Sequence, residues 1–586
     1  MVNKKEEQKA ELYGDEVREK LVEFAERGWE SIPDGEKEEW FTRFKFWGVF
    51  HHRSGQESYF MMRLANVNGQ LNAEQLCAIG EVARDYATGP VENPEFGNGW
   101  IDLTTRQSIQ LHWLKLEHVP EIWDTLEPLG VTSRSAGGDT MRNITGCPVA
   151  GRDKHEFVNS QPVLDHIQTE LRDDDAFANM PRKYNISVTG CRQGCAQDSI
   201  NGIGLEPAEK TIDGETVRGF NVRVGGGLGG REAREARPLD VFVRPERGYD
   251  VVKAFTQLYH DEGNRENRQK NRTRFFVDEW GTDLIREKLQ DDYVDFELKR
   301  AGDDLREEYT YNSGGPNETD HVGVHEQHDG RNYVGLSVPI GRLPAEDAIA
   351  IADLAEEYGS GEIRLTRRQN PIILDVPDDE LDALLDAPVL ETHTPEPNPF
   401  ERGTMACTGT EFCSIALAET KTRTARMLRW LRDNADVPDD VDKIKIHFSG
   451  CTADCGQAMT ADIGLQGMRA RKDGQMVEAL DIGVGGGVGE DPSFVDFIQQ
   501  RVPADEVPGA IRNLLDAFGE ERRAGETFRE WTERTDTEAL AEFATPEETT
   551  YEDPCLGDAK QSWYPFADGE SPAPTTVDGT PIPSDD

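Results

Sequence analysis

The strongest constraint on the fold of this chain is that it contains itself twice. The segment KYNISVTGCRQGCAQDSINGIGL (183–205) returns in outline as KIKIHFSGCTADCGQAMTADIGL (443–465). The same offset of 260 residues carries Cys147 to Cys407, Cys195 to Cys455 and Gly225 to Gly485. Upstream, IDLTTRQ (101–107) returns as IRLTRRQ (363–369). Solenoids stack many repeats of roughly 20–50 residues. Two long copies predict instead a duplicated domain pair related by a pseudo-twofold axis, with any cofactor lying between the halves. The 586 residues then divide into four units of about 150 residues, two per copy.

Within each copy a strand precedes an amphipathic helix, over 72–87 or 345–359. A strand bearing TTRQ or TRRQ follows, and then a second helix, over 119–130 or 378–387. That β-α-β-β-α order, with apolar period 2 in strands and 3.6 in helices, predicts a ferredoxin-like α+β unit. The next unit holds a cysteine motif, a strand, a glycine run and a closing helix such as 251–263. The expected boundaries are an N-terminal extension (1–55), ferredoxin-like units (56–140 and 331–400) and cysteine-bearing α+β units (141–301 and 401–545). A linker (302–330) separates the halves. An acidic, Pro-rich tail (546–586) reads as extended or mobile, with WYP (563–565) able to dock.

Charge narrows the function. Against 64 Lys and Arg stand 112 Asp and Glu, a net charge of −48, which disfavours a phosphate backbone as partner. The acids are spread along the chain, a pattern that keeps proteins soluble in high salt at the cost of self-repulsion. No apolar run of about 18 residues is present to span a membrane. The N-terminus MVNKKEEQKAELYGDE lacks the apolar core of a secretory leader. A cytoplasmic, monomeric protein of a high-salt host is the expectation.

Nine cysteines are too few and too clustered for a disulfide scaffold. In the second copy Cys407-x5-Cys413 is followed by Cys451-x3-Cys455. Four thiolates from two loops can close around one [4Fe–4S] cluster. Zinc is the alternative, although its knuckles usually space two cysteines by about 2–4 residues. In the first copy Asp153 stands where Cys413 stands in the second. Cys147, Cys191 and Cys195 are therefore expected to be remnants packed in the scaffold, the sharper alternative being a second, incomplete cluster.

The cysteine pattern, together with FWGVFHHR (46–53), YFMMR (59–63), LTTRQ (103–107), MRN (141–143), MPRKYN (180–185) and VGGGVGE (484–490), resembles the sirohaem-containing nitrite and sulfite reductase family over roughly residues 40–540. The resemblance implies a pseudo-twofold α+β chain of two ferredoxin-like half-domains and two sirohaem-binding domains. It implies a [4Fe–4S] cluster on Cys407, Cys413, Cys451 and Cys455, with Cys455 also ligating the sirohaem iron. Arg63, Arg142 and Lys183 match substrate-pocket cations, and Arg106 and Gln110, with His112 nearby, match residues that grip or shape the sirohaem site. Sulfite reductases of this kind usually carry a second Lys two positions after Lys183, whereas here the residue is Asn185, which favours nitrite. The implied reaction is the six-electron reduction of nitrite to ammonia.

The two glycine runs, VGGGLGG (224–230) and VGGGVGE (484–490), lack the βαβ setting of a dinucleotide fingerprint. They are expected to let backbone approach the tetrapyrrole closely. No flavin or nicotinamide domain is evident, so reduced ferredoxin is the implied donor. The basic stretch 264–281 is assigned to scaffold pairing, cofactor carboxylates or ferredoxin, with Arg268 and Arg272 in a small docking patch. Sulfite reduction on the same fold is the nearest alternative. A non-catalytic Fe–S carrier or zinc-stabilised binding protein is the distant one.

Overall fold

The computed structural model describes residues 3–554, apart from 54–55, 57, 91, 94, 173, 192, 231–232, 306–319 and 489–491, together with 576–577 and 580–581. Most of the expected linker, and the tail with Cys555 and WYP, lie outside the described residues.

The two ferredoxin-like units form one body by exchanging strands. One sheet runs, in spatial order, Val49–His51, Phe60–Arg63, Ile109–Leu114, Trp100–Leu103 and Arg342–Pro344. The other runs Gly323–Glu326, Asn332–Gly335, Pro371–Val376, Glu362–Leu365 and Gln70–Asn72. The last strand of each belongs to the other half: Leu343 pairs with Ile101, and Ile363 with Leu71. Each exchanged strand runs directly into a helix, Ala73–Tyr86 or Ala345–Tyr358, and these two helices pack together. A Cβ on Gly80 would lie 2.7 Å from Ile349 Cγ1, so glycine permits the close helix crossing. Alternating apolar residues from both halves (Leu76, Ile79, Ile101, Leu343, Ile351 and Ile363 among them) fill a single core.

The cysteine-bearing units each have a core of their own. Each contains a short strand pair in parallel, Thr145–Gly146 with Ile186–Val188 and Met405–Ala406 with Ile446–Ser449. A long antiparallel hairpin flanks each pair, Ile203–Ile212 with Glu215–Val224 and Ile463–Lys472 with Gln475–Val484. The hairpins turn at Asp213-Gly214 and Asp473-Gly474, all four residues at positive φ, the two-residue turn whose twist matches that of the strands. The duplication extends to strained backbone. Asn68 and Ile340 (φ 52° and 51°), Gln107 and Gln369 (54° and 63°), and Gln197 and Gln457 (56° and 60°) are equivalent pairs. Gln197 and Gln457 meet on the pseudo-axis, each side-chain amide donating to the other, at 3.0 and 2.8 Å.

The N-terminal segment is integral, since its helices lead into the Val49–His51 strand of the first sheet. Residues up to 554 also pack on the second copy, where Asp553 receives Arg423 at 2.9 Å in a buried pair.

Behind the exchanged strand, Arg342 is fully buried and donates to both oxygens of Asp102 (2.8 and 3.0 Å) and to Glu411 (2.9 Å). The pair thus ties the first sheet to the Cys413 loop. Burial alone would raise the Asp102 carboxyl, but Arg342 and then Lys421 hold it well below the usual range. Glu411, where burial outweighs Arg342, is pushed up to about 7. Removing one member of such a network costs about 3–5 kcal/mol, because charges are left buried and unpaired. Arg342→Met is therefore expected to lower the denaturation midpoint of the holoprotein markedly, whereas Arg18→Met at the half-exposed pair with Glu127 changes it little. Equal midpoints would show that the network does not hold the halves together.

Candidate active site

Cysteine placement follows from the parallel strands. Cys407 directly follows Met405–Ala406, and Gly450-Cys451 directly follows the neighbouring Ile446–Ser449, so both thiols leave the same end of adjacent strands. Cys413 arrives after a single turn, Gly409–Glu411, and its N–H donates to the Gly409 carbonyl at 3.0 Å. The Gly450 N–H donates to Cys407 Sγ at 3.2 Å. Burial and then the Cys455 thiol push Cys407 up to about 11. Burial, then Cys455, Cys413 and Cys407, push Cys451 well above the usual thiol range. The four thiols therefore stand close enough to feel one another's charge, a donor set that suits an iron–sulfur cluster, whose binding takes the thiol protons away.

Beside them opens a cavity of about 1430 Å³, including space open to solvent. Cys407 and Cys455 face it, and Cys455 is the exposed member of the four. Eight cationic side chains line it (Arg63, Arg106, Arg142, Lys183, Arg272, Arg274, Arg367 and Lys421) against two carboxylates, Asp102 and Asp454. In a chain of net charge −48, this concentration is a built feature. Burial, and then the charges of Arg367, Arg142 and Arg63, push the Arg106 guanidinium well below its ordinary value. Anions filling the cavity relieve that repulsion. The size and charge fit a polycarboxylate tetrapyrrole together with a small anion.

Backbone carbonyls and amides hold the cations in place. Arg63 donates to the Ala136 carbonyl at 3.2 Å and, with the Gln110 amide suitably turned, to the Gln110 side-chain oxygen at 2.9–3.1 Å. Arg142 donates to the Gly138 carbonyl at 2.9 Å, and Arg106 to Asn201 Oδ1 at 3.1 Å. Arg367, from the TRRQ turn of the second copy, donates to the Ala196 carbonyl at 2.6 Å. Thr105 Oγ1, from the TTRQ turn of the first, donates to the Cys455 carbonyl at 3.0 Å. The duplicated turn thus reaches the cavity from both halves.

Of the residues singled out from sequence, Arg63, Arg106, Gln110, Arg142, Lys183, Asn185, Cys407 and Cys455 line this one cavity. Cys413 and Cys451 belong to the cysteine cluster behind it. His112 is a correction. It is buried with its ring stacked on Phe412 at 4.1 Å and its Nε2 3.5 Å from Asp102, outside the cavity wall. Burial holds it down to about 3, hence neutral. It shares its face of the strand with Gln110, which lines the cavity, but lies farther along, where Phe412 covers it. The glycine runs differ as well: Gly226, Gly227 and Gly229 of the first line the cavity and the described residues of the second run do not. Gly229 lies against the Ala453 carbonyl, where a Cβ would come within 2.6 Å, and the Gly230 N–H donates to the Thr452 carbonyl at 2.9 Å.

The docking patch expected on Arg268 and Arg272 is also corrected. Arg268 donates to Asp139 at 2.8 and 3.2 Å, and Asp139 is also paired with Lys9 and Arg182. Arg272 and Arg274 turn inward to the cavity. Burial and then Arg182 lower Arg272 to about 10, while Cys455 acts in the opposite sense. Arg367 and Lys421 went unnoticed in the sequence. Arg367 stands in the repeat where Thr105 stands in the first copy, beside Arg368, the counterpart of Arg106, and the repeated turn was the available signal for it.

Comparison with known proteins matches the family model for the nitrite and sulphite reductase 4Fe-4S domain over residues 137–297 and 399–550. The model for the nitrite/sulfite reductase ferredoxin-like half domain matches residues 52–129 and 325–389. The chain belongs to the nitrite and sulfite reductase family. An assimilatory ferredoxin-dependent nitrite reductase of Haloferax mediterranei is 69% identical over 579 residues, 98% of this chain and 99% of that one. A ferredoxin–nitrite reductase of Synechococcus elongatus is 38% identical, covering 89% of this chain and 98% of that one. The solved structure of the Mycobacterium tuberculosis NirA protein superposes with a TM-score of 0.81 at 29% identity, covering 92% and 97% of the two chains.

Among the described residues nothing lies within 4 Å of a Cβ built on Gly227, so Gly227→Ala is expected to fold like the parent. With the tetrapyrrole seated on this run, the variant should nevertheless carry less haem per chain, read from absorbance after purification. Undiminished haem content would move the tetrapyrrole away from the glycine run.

Proposed function

We propose that this protein is a ferredoxin-dependent assimilatory nitrite reductase of the cytoplasm, with a [4Fe–4S] cluster and a sirohaem as resident groups and ammonia as product. The observation that carries the reading is that Cys455, last of four converging thiols, opens into the same cavity as Arg63, Arg142 and Lys183. The resident pair supplies the electrons, six per nitrite, one at a time from reduced ferredoxin. The curated relatives carry the same activity in their names.

The chain's own residues do the rest. Arg63 and Arg142 are anchored through carbonyl acceptors, so their charge is in place before a small anion arrives, and attraction costs no reorganisation. Lys183 Nζ offers both charge and a transferable proton, which reduction of an oxyanion to ammonia and water consumes repeatedly. Asn185 faces the cavity without adding charge. One fewer cation suits a monoanion better than a dianion, since surplus buried charge is costly, and this favours nitrite over sulfite. Gln110 orients Arg63, and Arg106 and Arg367 hold positive charge towards the interior of the cavity. No helix among the described residues is long and apolar enough to cross a membrane.

Steady-state assays with one reduced ferredoxin and either nitrite or sulfite test the assignment, with ammonia formation and nitrite preference expected. A higher kcat/KM for sulfite would overturn it. Lys183→Met should lower kcat/KM for nitrite by about 10²–10³-fold while haem and cluster spectra persist. Asn185→Lys should shift the ratio of kcat/KM values towards sulfite. A shift towards nitrite would show that charge at this position does not set the preference.

A further inference from the structure

The first copy repeats the cysteine scaffold without a cubane's fourth thiol, and its three cysteines nonetheless converge. Cys147 follows the Thr145–Gly146 strand and Cys191 lies just beyond the parallel Ile186–Val188 strand, as Cys407 and Cys451 do in the second copy. All three thiols are buried, at 1–3% exposure. Cys191 Sγ and Cys195 Sγ are 3.4 Å apart. Cys147 packs in the same buried cluster as both. Cys147 Sγ, Cys195 Sγ and a ring nitrogen of His321 all lie within 4.8 Å of one another.

His321 comes from the other half of the chain. It sits at φ 62° just before the Gly323–Glu326 strand, with its carbonyl pressed onto Gly335, where a Cβ would clash at 1.7 Å. Its neighbour Asp320 is pinned by Arg402 (2.9 Å) and Lys443 (3.0 Å). The His321 Nδ1 stands 3.2 Å from the Tyr333 hydroxyl, the outer hydrogen bond that orients a metal-binding imidazole. Val149, Ala150, Ile372 and Leu374 close an apolar shell around the group.

We propose that Cys147, Cys191, Cys195 and His321 form a structural zinc site that joins the two halves of the chain. Three cysteines and one histidine are an established ligand set for tetrahedral zinc. Zinc–sulfur bonds of about 2.3 Å place two sulfurs about 3.8 Å apart, close to the spacing seen. The four cysteines of a cubane bind four different irons, which keeps their sulfurs farther apart than this. A disulfide needs about 2.05 Å between sulfurs and would leave Cys147 and His321 without a purpose in the cluster. Asp153, at the position of Cys413, marks the loss of the cubane, and the fourth ligand is drawn instead from residue 321. The site is separate from the nitrite cavity, none of whose lining residues it uses.

Metal analysis of the holoenzyme, purified without chelator, tests the proposal. About one zinc per chain is expected beside about five iron, four from the cluster and one from the haem. The zinc-edge X-ray absorption spectrum should show a shell of three sulfurs and one nitrogen. His321→Gln and Cys191→Ser should each lower zinc at least tenfold while iron content and haem absorbance stay at parent level. Zinc below about a tenth of an equivalent in the parent, an oxygen-dominated shell, or roughly four additional irons per chain would overturn it. These parent measurements decide the matter even if both variants fail to fold.

Discussion

The exchange of one strand between the two ferredoxin-like units is the constraint on which the rest of the molecule depends. Once Arg342–Pro344 completes the first sheet and Gln70–Asn72 completes the second, neither half can close its sheet alone. The paired helices then bury a single core made by both. The TTRQ and TRRQ turns are thereby brought together at one cavity, where Arg367 Nε donates to the Thr105 carbonyl at 3.2 Å. The reciprocal amides of Gln197 and Gln457 fix the axis about which the cysteine-bearing units meet.

Symmetry of backbone has been turned to asymmetric chemistry. The second copy retains four thiols and presents Cys455 to the cavity, while the first contributes most of the cations that face it. Gly229 and Gly230 of the first copy pack on the loop that carries Cys455 of the second. Charge is divided in the same way. The acidic exterior is screened within about 3 Å at about 1 M salt. The cations inside are partly or wholly buried, so salt screens their pull on an anion less than it screens the surface.

Much of this was legible in the linear sequence. The 260-residue repeat implied the duplicated fold, because equivalent backbone is used twice, down to the positive φ at Gln107 and Gln369. Cysteine spacing implied the four-thiol cluster, because two strand ends with their following turns suffice to assemble it. Less legible were residues whose role depends on which way a side chain points. His112 lies in an informative motif but is covered by Phe412. Arg272 and Arg274 sit in a basic stretch that suggests a surface and instead line the cavity. Only the fold brings Arg367 and Lys421 to the same cavity as Arg63.

What the sequence determined by itself is therefore the inventory: two copies, one intact set of cysteines, and a scarcity of cations that makes each conspicuous. The tertiary structure alone decided the company each residue keeps. Strand exchange set Arg342 between Asp102 and Glu411, and brought His321 to Cys147 and Cys195, more than a hundred residues earlier. The physical reason is that local patterns depend on neighbours along the chain. Contacts across a pseudo-axis depend on how two sheets and their burial are shared, and no spacing in the sequence records them.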